Sequence, residues 1–208
     1  AWAGLALAYF ARSTALRASD GTEYKGSMDA IARALSIDPN VSEAYSAFCA
    51  NKFRHEHDFA GAEAFCKRAL ELDPSSADAH NIYSVFLSTT GRHDEAIAEI
   101  KQAVDLEPAS FFFQRWFANS LYLARRYDEA IERYKKNIEL DPQHEPTYYW
   151  LTKALQAQGR EAEAFEYFIR SLQIVSPNTA AVERYNGIFR SSGWRGVLRA
   201  RAMSKESP

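Results

Sequence analysis

Five X-Pro steps recur along the 208-residue chain, at Asp38-Pro39, Asp73-Pro74, Glu107-Pro108, Asp141-Pro142 and Ser176-Pro177, with proline-to-proline intervals of 35, 34, 34 and 35 residues. Proline cannot continue a helix and pushes the residue before it out of helical backbone, so an even series of such steps marks the ends of equivalent helices. A period of this size is the mark of stacked helical hairpins. The expected fold class is therefore all-α, and an array of this kind grows in one dimension, so chain length sets no domain count.

Composition supports a folded chain, because 47% hydrophobic and 25% charged residues lie far from the balance that keeps a chain disordered. The net charge of −2 gives no general attraction to nucleic acid or to an anionic membrane. No apolar run approaches the roughly 20 residues that span a bilayer. The chain opens at Ala1 with no initiator Met and is expected to be a segment of a longer protein. Cytoplasmic residence is expected, or periplasmic if a membrane span precedes the segment. Cys49 and Cys66 are too few for a disulfide scaffold and lack metal-ligand spacing. They fall on the two helices of one hairpin, so pairing stays open, but buried free thiols are the better reading.

Between prolines one plan repeats: a large residue, an apolar and a small one, a short turn, then a second amphipathic helix. The third unit shows it as Tyr83, Ser84, Leu87, the turn Thr90-Gly91-Arg92, and Ala96, Ile100 and Ala103. The fourth has Phe117, Ala118, Leu121, Ala130 and Tyr134, and the fifth Tyr148, Leu151, Thr152, Leu155, Gly159, Ala164 and Phe168. Small residues let the paired helices approach closely while large ones fill the space between hairpins. The step from small residue to small residue is 12 in these three units (84 to 96, 118 to 130, 152 to 164). From Cys49 to Ala62 it is 13, placing one extra residue within 51–58, and from Ala6 to Ser27 it is 21, an insertion of nine. Helix-compatible residues after Ala11 predict that the first helix overruns its hairpin, with Ser19-Asp20-Gly21-Thr22 as the turn.

The pattern of Trp2, Leu5, Ala6 and Tyr9, repeated in variant form in each unit and closed each time by Pro, resembles the tetratricopeptide repeat over essentially the whole chain. The resemblance implies repeats at about 1–40, 41–75, 76–109, 110–143 and 144–177 in one array. A capping pair of helices over 178–204 follows, split at Ser192-Gly193, with a basic outer face. It further implies a right-handed superhelical solenoid that holds a peptide or partner protein in a concave groove and is not an enzyme. Segments such as Asp58-Phe59-Ala60-Gly61-Ala62-Glu63, Gly91 to Ile97, Ala124 to Ala130 and Gly193-Trp194-Arg195-Gly196 are similar to arrays C-terminal to bacterial winged-helix regulators, serine/threonine kinases and nucleotide cyclases.

The groove-facing positions implied by that likeness are Phe53 and Arg54, then Asn81, Val85, Ser88 and Thr89, then Phe112, Arg115, Asn119 and Tyr122, and last Tyr149, Lys153 and Gln156. Aromatics supply contact area, Asn pairs with a peptide backbone, and Arg or Lys holds a carboxylate. Arg115 and Asn119 partly imitate the carboxylate clamp of some relatives, although Lys153 stands where that pattern has Asn. Three consecutive aromatics, Phe111-Phe112-Phe113, cannot all face one core, so one is expected to be exposed or used.

No catalytic constellation, metal site or cofactor motif is expected. His55 and His57 are read as part of a solvated turn, since histidines two apart suit a strand better than a helix. His80 replaces the early aromatic of its unit and is expected to be packed, while His93 and His144 open helices with no Ser or Cys partner. The basic tail (Arg184, Arg190, Arg195, Arg199, Arg201, Lys205), in which aromatics for base stacking are sparse, reads as a solvated cap, so no nucleic-acid partner is expected. Asp94-Glu95 and Asp128-Glu129 suit the positive end of a helix dipole. The expected partner is a protein or peptide segment of a signalling or transcription regulator, with self-association of the parent protein as the alternative.

Overall fold

The structure, a computed structural model, describes residues 1–16, 22–176 and 179–205. Among them are eleven α-helices and no strand: α1 Trp2–Leu16, α2 Thr22–Ile37, α3 Ser42–Asn51, α4 Phe59–Leu72, α5 Ala77–Thr89, α6 His93–Leu106, α7 Phe111–Leu123, α8 Tyr127–Leu140, α9 Glu145–Ala157, α10 Glu161–Val175 and α11 Thr179–Lys205. The expected all-α repeat architecture is what the chain adopts, in two compact units, Ala1–Ser120 and Leu121–Pro208. No helix among the described residues is long and apolar enough to cross a membrane.

Three of the proline steps end a helix by the same local chemistry. Asp38, Asp73 and Asp141 accept through Oδ1 the backbone N–H two residues on, from Asn40, Ser75 and Gln143, which turns the chain past the proline. At these three steps and at Glu107-Pro108 the proline carbonyl receives a side chain from the next helix: the Tyr45 and Tyr148 hydroxyls donate to Pro39 and Pro142, Gln114 Nε2 donates to Pro108, and His80 Nε2 bonds Pro74 at 3.0 Å. His80 thus keeps the hydrogen bond of the aromatic it replaces. Pro177 lies outside the described residues.

The turn inside the second to fifth hairpins also repeats. His57, Gly91, Arg125 and Gly159 have φ of 55°, 81°, 60° and 72°, the left-handed backbone that favours glycine. Arg92, Arg126 and Arg160 follow, each forking onto the Glu three residues ahead (Glu95, Glu129, Glu163) through two bonds of 2.6 to 2.7 Å. The second hairpin differs, because Asp58 takes the Arg position and caps α4 by accepting from Gly61 N at 2.9 Å.

The single extra residue of that hairpin is absorbed by a π-helical turn, Lys52–Glu56, that continues α3. This corrects the solvated turn expected at His55, whereas His57, exposed just past the π-helical residues, does lie in a turn. His55 is half-buried with its ring 5.0 Å from Tyr24, whose hydroxyl donates to Glu56 at 2.9 Å. Loss of hydration and the neighbouring Arg54 charge push the His55 imidazole below its ordinary value. Among the described residues no three His, Cys, Asp or Glu side chains gather as a metal site.

The free-thiol expectation is also corrected, since Cys49 of α3 and Cys66 of α4 form a disulfide, with Cα atoms 5.2 Å apart and both side chains buried. Two helices that close on each other at small residues bring facing side chains within disulfide reach. In the first hairpin α1 continues to Leu16, and the nine-residue insertion leaves the small-residue contact intact: buried Ser27 donates to the Ala6 carbonyl at 3.2 Å and accepts from Asn51 Nδ2 at 2.9 Å. The expected turn at 19–22 lies outside the described residues except for Thr22, which opens α2.

The first unit is cored by Ala3, Ala6, Ile31 and Ala47 and, further along, by Phe53, Ile82, Tyr83, Phe86 and Leu87. Each large side chain so buried stabilises by about 1.5–3 kcal/mol. In the second unit Phe165, Phe168, Tyr185, Trp194 and Val197 form a cluster between α10 and α11, where the Phe165 and Phe189 rings stack at 4.0 Å. Gly193 (φ 60°, ψ −161°) breaks α11 and lets Trp194 turn back onto that cluster.

Candidate functional site

Three helices and the π-helical turn of the first unit surround one hollow of about 360 Å³. α5 presents Asp78, Asn81, Ile82 and Val85, spaced so that all four share one helical face. α7 adds Phe112, Arg115 and Trp116, α1 adds Gly4, Leu7 and Ala8, and Arg54 enters from the turn after α3. The floor is apolar, and the polar groups are few and convergent, the usual make-up of a binding site.

Asn81 is only 5% exposed, yet its Oδ1 has no hydrogen-bond partner among the described residues, and neither has the buried Trp116 Nε1. An orphaned buried polar atom costs about 1–3 kcal/mol, which a ligand group can recover. Arg115 lies over the rings of Trp116 and Phe112, at 5.0 and 5.5 Å. Burial pulls the half-buried Arg54 guanidinium below its ordinary value, but an arginine so shifted stays charged. Partial loss of hydration, and then the charges of Glu107 and Glu43, push the Asp78 carboxyl up.

Of the residues expected to face a groove, Arg54, Asn81, Val85, Phe112 and Arg115 therefore meet at one site. The Phe triplet splits as its geometry requires, with Phe113 buried and Phe112 45% exposed at the hollow. Phe53 is 4% exposed and packs edge-on against Phe86 at 5.8 Å. It also backs a second hollow with Arg54, His55, His57, Phe59 and Thr89. Ser88 is half-buried with an unpartnered Oγ among the described residues, and Asn119 is buried. In the second unit the Tyr122 and Tyr149 rings each meet Trp150 edge-on at 5.4 Å, Lys153 Nζ lies 5.7 Å from the centre of the Tyr149 ring, and Gln156 is half-buried on α9.

Trp116, Asp78, Ile82 and the α1 residues were not legible as site residues. Trp116 and Trp150 occupy the phase that Ala47 and Ile82 occupy in earlier units, which reads as core. Two tryptophans at one repeat phase are the signal that could have marked a wider, partly open face.

Family models for tetratricopeptide repeats match residues 53–110 and 118–159. No curated protein matches the sequence. Among solved structures, PilF of Pseudomonas aeruginosa aligns with a TM-score of 0.65 at 18% identity over 97% of this chain and 96% of its own. A crystal structure of MamA gives 0.62 at 22% identity over 74% of this chain and 90% of its own. YrrB, described as a tetratricopeptide-repeat protein with an unusual peptide-binding site, gives 0.60 at 18% identity over 86% and 90%. At such identities the likeness is one of fold.

Proposed function

From a chain that carries tetratricopeptide repeats over 53–110 and 118–159, we propose a non-enzymatic interaction module that binds a peptide segment of a partner protein. The observation that carries this reading is the hollow of the first unit, where an apolar floor surrounds the buried carboxamide oxygen of Asn81, which has no hydrogen-bond partner among the described residues. A peptide offers both things such a site lacks: a side chain to fill it and an amide to pair with it. Arg54, Asn81, Val85, Phe112 and Arg115 are the proposed contacts there, with Phe53, Ser88 and Asn119 backing them. Tyr122, Tyr149, Lys153 and Gln156 are proposed contacts of the second unit. Residence in a larger signalling or transcription regulator, and the division into five repeats and a cap, rest on the sequence likeness alone. The buried Cys49–Cys66 disulfide favours an oxidising compartment.

Selection of a phage-displayed random peptide library on the full chain tests the reading. Enriched clones are expected to lose binding to Val85→Arg, which fills the hollow from its α5 wall, while circular dichroism shows helicity retained. Clones that bind parent and variant equally well would place recognition elsewhere.

A further inference from the structure

We infer that the second half of α11, residues 194–205, docks on an anionic lipid surface through an exposed face that mixes arginine with large apolar side chains. This surface lies in the second unit and is independent of peptide capture. Charge, helix phase and the side chains that the core leaves unused all point to it.

Residues 179–205 hold six of the chain's 25 Lys and Arg but only one of its 27 Asp and Glu, Glu183, so a chain of net charge −2 carries one strongly basic helix. α10, which packs against α11, brings Glu161, Glu163 and Glu166. None of the three forms an ion pair with α11 among the described residues, and Glu163 is held by Arg160. Three of the arginines of α11 are engaged within the protein: Arg184 over the Tyr185 ring at 5.7 Å, Arg190 on the Asn186 carbonyl at 3.3 Å, and Arg201 over the Phe168 ring at 5.3 Å. Arg195 and Arg199 are not. Arg92, Arg126 and Arg160 each fork onto a glutamate, whereas Arg195 and Arg199 have no hydrogen-bond or ion-pair partner among the described residues.

Helix phase gathers these two with apolar neighbours. Past the break at Gly193, Trp194, Val197 and Arg201 form the stripe that meets Phe165 and Phe168. The opposite stripe, Arg195, Leu198, Arg199, Ala202 and Met203, keeps the i, i+3, i+4, i+7, i+8 spacing of one helix face and is exposed throughout. Leu198 is 41% exposed and Met203 63%. A cap that faced only water would leave both in contact with solvent at a cost. Nucleic acid would take the guanidiniums on its phosphates but offers Leu198 and Met203 no apolar phase, and Tyr185 and Trp194, the rings of this helix that could stack on bases, are buried or, for Trp194, only 4% exposed. A bilayer interface accepts both kinds of side chain. With the helix axis in the membrane plane, Leu198 and Met203 enter the acyl boundary while the arginine stems lie along it and carry their charge to the lipid phosphates.

The test is co-sedimentation of the full chain with vesicles of phosphatidylcholine alone or mixed with phosphatidylglycerol. Binding to the anionic vesicles is expected to be about tenfold tighter than to the neutral ones and to weaken with added salt. Arg195→Gln with Arg199→Gln is expected to remove the preference for anionic lipid, and Leu198→Gln with Met203→Gln to weaken binding about tenfold. All four side chains are exposed, so circular dichroism should show helicity retained in both variants. Equal binding to the two kinds of vesicle, no binding to either, or binding that ignores either pair of substitutions overturns the lipid surface. Gel shift of a mixed-sequence DNA duplex that needs Arg195 and Arg199 but ignores Leu198 and Met203, and is tighter than vesicle binding, assigns nucleic acid instead. Self-association in analytical ultracentrifugation that both variants abolish makes a second copy the occupant and likewise overturns the proposal. Peptide clones that depend on Val85 should bind both variants unchanged, so peptide capture stands or falls separately.

Discussion

The second and third hairpins of the first unit solve the same problem differently. In the third, α5 and α6 are joined by a turn that glycine supports at Gly91, and Arg92 forks onto Glu95 to start the next helix. In the second, one added residue forces α3 into a π-helical turn, His57 occupies the left-handed position at a steric cost, and Asp58 caps α4. That less favourable connection lies in the hairpin that carries the Cys49–Cys66 bond. The same irregular turn holds Arg54 at the hollow and His55 against Tyr24. Local backbone preference closes one hairpin, and a covalent link reinforces the one whose turn has been bent.

Removing that link is the largest available perturbation. Cys49→Ala with Cys66→Ala, or reduction by dithiothreitol, is expected to lower stability by about 2–4 kcal/mol in urea denaturation, because a loop-closing constraint on the unfolded chain is lost. Alanine already fills close-packed positions such as Ala62 and Ala96, so little packing strain is added. Hydrogen exchange should then quicken across α3 and α4 before α5 and α6. Equal loosening of the two hairpins would show that the disulfide does not compensate the bent turn.

The difference between these hairpins also marks how far the sequence can be read. The proline period, the small-residue pairs and the extra residue within 51–58 were legible because each is a matter of counting along one chain. The pairing of Ser27 with Ala6 across a nine-residue insertion shows how robust such counting is. Whether an extra residue makes a loop or a π-helical turn depends on tertiary contacts such as Tyr24 to Glu56, which no local count contains. The disulfide was hidden for a related reason: two cysteines on adjacent helices meet only if both face inward at one level. At the hollow, Arg54, Asn81, Phe112 and Arg115 followed from the repeat phase. Leu7 and Ala8 did not, since the insertion after α1 obscures how that helix lies against α5.

The turns themselves give a second, smaller contrast. Nothing lies within 4 Å of a Cβ added at Gly91, so Gly91→Ala changes backbone energy alone. It is expected to cost about 1 kcal/mol. The converse change, His57→Gly, relieves an L-residue held at φ 55°. Its gain is expected to be about 0.5 kcal/mol, because glycine also raises the entropy of the unfolded chain. Thermal melts of the two variants read both signs, and a loss in His57→Gly would mean that the imidazole contributes more than its backbone strain removes.

The smallest effect separates the helix starts of the same two hairpins. Tyr45 and His80 hold equivalent proline carbonyls, but only His80 titrates near neutrality. Its hydrogen bond to Glu99, 2.6 Å from Nδ1, raises the imidazole above its ordinary value of 6.5, with burial opposing and the Pro74 carbonyl adding to the rise. A group whose folded-state value is raised contributes stability that is complete below 6.5 and is lost as pH climbs through the raised value. His55 works the other way: its value is lowered, so the folded state loses stability as pH falls through 6.5. The two slopes partly cancel in the parent protein, and His80→Tyr, which restores the residue type of Tyr45 and Tyr148, uncovers the His55 slope. Urea midpoints across this range should therefore rise more steeply with pH in His80→Tyr than in the parent. Parallel pH profiles would mean that the His80–Glu99 contact adds nothing to the third hairpin that a tyrosine does not.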